Sequence, residues 1–199
     1  MKAIPSIGWA CPKCTGMAVD SVESQSNQEP WLQGPLAGVH PLLAPTLYAF
    51  AQAREDIARW TDGLTDADVW FRPHGLAAVG FQLRHIAGSV DRLTTYLRGD
   101  QLTLGQLEAI THEMDPGPGR SELLDGINQA LQQSEQVIRA LDPAVLTEPR
   151  SVGRRRLPTT VIGLVVHLAE HTQRHVGELI ITTKLSKRIV TGSTRPLPS

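Results

Sequence analysis

The sequence predicts an all-α fold, a four-helix bundle. Three observations carry this. Four stretches of about 17 to 27 residues repeat apolar side chains at steps of three and four, no alternating strand pattern lies between them, and proline and glycine crowd the connections. Those connections are too long for the simplest up-and-down form. A chain of 199 residues suits one domain, since folding at this length buries roughly 70% of the surface the unfolded chain exposes.

Residues 1–33 hold Pro, Gly, Ser, Gln and Asn without a sustained period and are expected to form a loosely ordered tail, with the bundle over 34–190 and a second tail over 191–199. The first helix carries Leu43, Leu47, Phe50, Ala53, Ile57 and Trp60 on one face, tolerates Pro41 and Pro45 near its start, and ends at Gly63. Thr65 with Asp68 can cap a short turn, and Pro73, Gly75 and Gly80 mark a loop. The second helix buries Leu83, Ile86, Val90, Leu93 and Leu97 and stops at Gly99. From Gln101 to Arg120 the pattern offers a helical turn around Leu104 and Leu107, then a long loop. Ser121 is the expected cap of the third helix, with Leu124, Ile127, Leu131, Ile138 and Leu141 inward and Pro143 as its end. A loop with Pro149, Gly153 and Pro158 precedes the fourth helix, which runs from Thr159 or Thr160 through Val161, Leu164, Val165, Leu168, Leu179 and Ile180 to about Lys187.

Charge and composition exclude several functions. Nineteen basic and twenty acidic residues leave a net charge of -1, so no general attraction to nucleic acid or an anionic membrane is expected. The longest apolar run, Val161 to Leu168, is interrupted by His167 and falls far short of the ~20 residues that span a bilayer. No secretory signal is visible, and two cysteines make no disulfide framework; a cytoplasmic location follows as the expectation.

The most unusual feature is the series His167, His171 and His175 in the fourth helix. Neighbours four residues apart share a face with about 6 Å of rise between them, close enough for two imidazoles to meet at one ion. The outer two are about 12 Å apart by the same rise, so one ion takes either the first pair or the second. A third ligand must come from another helix, and His85, at the edge of the second helix's buried stripe, is the candidate. Three imidazoles would hold one divalent ion, Zn, Ni, Fe or Mn, with positions left open. Glu170, Glu178 and Asp91 are candidate carboxylate partners for an imidazole N–H.

Other features read as non-functional, the pair Cys11 and Cys14 as part of a loosely ordered tail, with redox or metal capture as its alternative. Cys11-Pro12-Lys13-Cys14 is half of a zinc-ribbon pattern with no second pair. Arg150, Arg154, Arg155 and Arg156 form a basic cluster before the fourth helix, read as a solvated loop. Trp60, Trp70 and Phe71 are read as core.

Two segments resemble the DinB-like family. The first runs from Trp60 to Leu102, with Gly63-Leu64 to Arg72-Pro73 and then Val79-Gly80-Phe81-Gln82-Leu83-Arg84-His85-Ile86-Ala87. The second is His167-Leu168-Ala169-Glu170-His171-Thr172-Gln173-Arg174-His175-Val176-Gly177-Glu178-Leu179, similar to that family's last-helix motif. The resemblance covers about residues 35–190 and implies a four-helix bundle with long crossover connections and a metal centre of His85, His171 and His175. His167 then matches an upstream position that does not ligate and packs behind the ligands or in the core. Glu178 stands where the family often has glutamine, and is expected to face solvent.

Some proteins of that family are thiol S-transferases, so the resemblance implies a metal-dependent transferase acting on a small-molecule electrophile, with glutathione, bacillithiol or mycothiol as cosubstrate. A metal-binding, stress-associated protein without turnover and a metal-dependent hydrolase are the alternatives. The metalloprotease arrangement is missing, because Thr172 stands where a glutamate would follow the first histidine. Two-fold symmetry being the commonest form of assembly, a homodimer is expected.

Overall fold

The computed structural model describes residues 28–190, so the Cys11 to Cys14 motif and the C-terminal tail lie outside the described residues. The bundle consists of α1 (Ala44–Thr61), α3 (Val79–Leu97), α5 (Arg120–Arg139) and α6 (Val161–Val190), with the short α2 (Asp66–Trp70) and α4 (Leu104–Thr111) in the connections. Its core stripes follow the sequence period. Leu43, at the start of α1, and Leu47, Phe50, Ala53 and Ile57 within it are buried, with Leu83, Ile86, Val90 and Leu97 from α3 and Ile127, Leu131 and Ile138 from α5. Trp60 is half-buried, with the Arg59 and Lys184 cations over its ring. Among the described residues no helix is long and apolar enough to cross a membrane.

Contacts between helices give their directions. Near its start α1 meets the start of α6, where the Thr46 hydroxyl donates to Val165 O at 2.9 Å, and beyond its end Asp62 O accepts from Lys187 at 3.1 Å, so the two run parallel. Gln82, early in α3, bonds Glu178, late in α6, whereas Ser89 lies against His171; that pair is antiparallel. Thr94 donates to Ser134 at 2.8 Å, and the Trp70 indole, packed on Gly80, donates to Pro118 O just before α5, so α3 and α5 are parallel. The order around the bundle is α1, α6, α3, α5. A connection between parallel neighbours must travel the length of the bundle, which is why residues 98–119 form a long crossover with α4 inside it.

Four local expectations are corrected. Gly80 lies inside α3 rather than in the loop, because the Trp70 ring needs the space a side chain would fill. The third helix starts at Arg120, whose N–H donates to Asp66 Oδ1 at 2.7 Å, so a carboxylate from α2 caps it in place of Ser121. Phe71 is 38% exposed because it follows the end of α2 at the surface, while Trp70 turns inward. The loop before α6 contains an antiparallel hairpin, β1 (Pro149–Val152) and β2 (Leu157–Thr160), with Val152 opposite Leu157. Both strands carry a proline, which a two-stranded ribbon accommodates because every strand in it is an edge. Arg150 Nε donates to Leu97 O at 3.1 Å and ties the hairpin to α3.

Two glycine substitutions should move stability in opposite directions. A Cβ at Gly80 would stand 2.8 Å from the Trp70 ring, so Gly80→Ala should cost about 1–3 kcal/mol by overpacking. Gly126, inside α5, has nothing within 4 Å, and Gly126→Ala should gain about 0.5–1 kcal/mol from helix propensity. Urea unfolding followed by tryptophan fluorescence measures both, and shifts of the same sign would contradict this packing.

Candidate metal centre

The antiparallel packing of α3 on α6 sets His85 opposite two successive turns of α6. His85, His171 and His175 come together as a group that can hold a metal ion, each offering one nitrogen, all within 4.8 Å of one another. The His175 ring centroid is 4.3 Å from that of His85 and 4.5 Å from that of His171. Nε2 of His85 and Nε2 of His171 are 3.2 Å apart, close to the ~3.3 Å that two metal–nitrogen bonds of 2.0–2.1 Å subtend at a tetrahedral ion.

Hydrogen bonds behind the rings fix which nitrogen looks inward. The Glu113 carboxylate can only accept, so His85 Nδ1–H donates to its Oε2 at 2.7 Å and the ring in its neutral form carries its lone pair on Nε2. His175 Nδ1–H donates to Gln82 Oε1 at 2.8 Å, while Gln82 Nε2 donates to Glu178 Oε2 at 2.9 Å. His171 differs, since its Nδ1 is buried without a hydrogen-bond partner. The Ser89 hydroxyl sits 3.3 Å from His85 Nε2 and 3.2 Å from His171 Nε2, against the space the three rings enclose.

Electrostatics favour uncharged rings on α6. Burial, with the nearby His175 and His85, pushes the His171 imidazole down to about 4. Burial also lowers His175, with the Glu178 carboxylate partly opposing it. Burial raises Glu113, but hydrogen bonds from His85 and Arg92 outweigh it and hold its carboxyl below the usual carboxylate value. Both α6 rings thus have a lone pair ready for a cation at neutral pH.

Of the two pairs the α6 spacing allows, the later one joins His85. His167 was expected behind the ligands or in the core; it is exposed, its ring 5.3 Å from His171 and its Nδ1 3.2 Å from Glu170. Its turn lies past the reach of His85 and opens to water. Glu178 was expected in solvent. It is half-exposed, yet it reaches Gln82 and lies 3.2 Å from His175 Nδ1. Glu170 pairs instead with Arg174 and His167, and Asp91 accepts from Gln106 at 2.6 Å. Arg154, Arg155 and Arg156 are exposed on the hairpin turn. Sequence reasoning missed Glu113, Gln82 and Ser89. Gln82 and Ser89 had a signal, since both are polar residues within one turn of His85; Glu113, in an aperiodic segment, had none.

The family model described as the DinB superfamily matches residues 49–179, more than half of the chain and all three histidines. A search of curated proteins finds no match.

The His171 ring should resist protonation in metal-free protein. Its Cε1–H resonance is expected to inflect near pH 4, below the ordinary 6.5, because burial disfavours the charged form. An inflection at or above pH 6 in a histidine-resolved NMR titration would contradict the burial of this ring.

Proposed function

The chain belongs to the DinB superfamily, and from this and the donor geometry we propose that it binds one divalent metal ion through His85, His171 and His175 and acts as a metal-dependent thiol S-transferase on small electrophiles. The observation that carries the metal reading is the convergence of three imidazole nitrogens from two antiparallel helices, two of them with the outward nitrogen already committed to an acceptor. A bound divalent cation supplies a Lewis acid that favours the deprotonated form of a thiol at neutral pH. The chain's own residues do the rest. Glu113 and Gln82 orient the rings of His85 and His175, and the buried Ser89 hydroxyl offers a polar contact beside the inward nitrogens. Three protein donors leave room for a substrate atom.

Hydrolysis fits less well. Thr172 is buried where the metalloprotease base would stand, and Glu113 is engaged by His85 and Arg92, so neither serves as a base for water.

Protein isolated without chelator is expected to carry about one equivalent of Zn, Ni, Fe or Mn by elemental analysis, as a single three-histidine centre requires. His85→Ala, His171→Ala and His175→Ala should each abolish it, and His167→Ala should retain it. Unchanged metal content in the first three variants would reject the site.

The transferase reading has its own test. With Co²⁺ in the site, glutathione, bacillithiol or mycothiol should produce a sulfur-to-metal charge-transfer band, and a chloro-nitroaromatic should then be consumed catalytically. Both signals should vanish in His171→Ala. A cobalt spectrum that no thiol perturbs would leave the metal site standing and remove the transferase.

A further inference from the structure

The connection between α4 and α5 is held to α3 by an unusual means. From Arg98 to Gly119 one residue is buried, and it is a carboxylate, Glu113, at 6% exposure. No residue of α4 is buried, and Leu104, Ile110 and Met114 are exposed, so apolar burial does little to fix this stretch. Polar side chains of α3 hold it. Arg84 Nη1 donates to His112 O at 2.6 Å and to Asp115 O at 2.7 Å, on either side of Glu113. Arg92 Nη1 donates to Glu113 Oε1 at 2.7 Å, while His85 Nδ1–H donates to the other oxygen. Farther along, Gln106 donates to Asp91 and Thr95, and the Trp70 indole donates to Pro118 O. Gly88 makes the approach possible, since a Cβ there would lie 2.7 Å from Arg92 Nη1 and 3.0 Å from Glu113 Oε1.

We propose that the segment 104–118 is a metal-responsive latch, in which Glu113, docked through His85, couples the order of the crossover to occupancy of the three-histidine site. The inference rests on the metal-binding reading above. Its physical basis is that one imidazole serves both partners. A cation at Nε2 draws electron density from the ring, which makes Nδ1–H a stronger donor and tightens its bond to Glu113. Coordination also fixes the orientation of the ring that Glu113 must meet. Linkage makes the coupling reciprocal, so the factor by which a docked turn raises metal affinity is the factor by which metal favours docking. Glu113 is thus a positioning residue for a metal ligand, carried on a connection that apolar burial leaves loosely held.

The test uses the full chain and zinc. Hydrogen exchange of the wild type, with and without one equivalent of zinc, should show slower exchange in residues 104–118 when zinc is present. Zinc affinity, measured by competition with a chromophoric chelator, should fall about 10–100-fold in Glu113→Ala and less in Glu113→Gln, which keeps an acceptor for His85. The zinc-dependent protection of 104–118 should disappear in Glu113→Ala. A carboxylate that only stabilises the fold would change exchange equally with and without zinc. Gly88→Ala, which displaces the Arg92 and Glu113 side chains without deleting either, is the second variant and should also weaken zinc binding. If wild-type protein binds none of zinc, nickel, iron or manganese, the metal reading and the latch fall together. If it binds zinc while 104–118 exchanges at the same rate, or if affinity is unchanged in the Glu113 variants, the latch alone is overturned.

Discussion

Everything at the histidine group depends on the register of α3 against α6. On α3 the buried residues Leu83, Ile86 and Val90 belong to the same core as Leu168, Val176 and Leu179 of α6. His85 adjoins Ile86, and His171 and His175 flank the α6 stripe, so apolar packing rather than any attraction between the rings sets their separation. A slip of one turn along α6 would displace the partners by about 5.4 Å and take His85 out of reach of the later pair. The imidazoles repel one another when charged and gain little from mutual contact when neutral. The core supplies the energy that keeps them together.

Topology then decides what stands behind the histidines. Because α3 and α5 are parallel, the chain leaving α3 must return along the bundle before α5 begins, and that return passes alongside the outer face of α3. The crossover thereby delivers Glu113 to His85 from a residue 28 positions away in sequence. An antiparallel neighbour joined by a short turn could not place a side chain there. The same long connection that complicates the bundle completes the surroundings of its metal-site candidate.

The apolar periods made the four long helices legible, and the i, i+4 spacing of histidines in the last of them made a metal centre a natural reading. That spacing could not choose between His167 with His171 and His171 with His175. The choice depends on what lies opposite, and one helix's sequence does not contain it. The hairpin was hidden because Pro149 and Pro158 argue against strands in a central sheet but not in a two-stranded ribbon. Glu113 was hidden more deeply. A glutamate in an aperiodic stretch reads as solvated, and only tertiary structure brings Arg92 and His85 to the two oxygens that make its burial tolerable.

The arrangement is costly for the fold alone. Three imidazoles share one partly buried space, His171 Nδ1 lacks a partner, and burial drives that ring's protonation down to about 4. The surrounding acids offset this only in part, Glu178 acting on His175. Glu113 is balanced by Arg92, and Glu178 is half in water and shared with Gln82. What these neighbours do is orient, taking the outward N–H of His85 and of His175 so that lone pairs face inward. Local chemistry that a fold maintains against its own stability is the kind of feature that functional sites carry. A divalent cation bound there would turn converging lone pairs from a cost into bonds, an offset that packing around the rings does not supply.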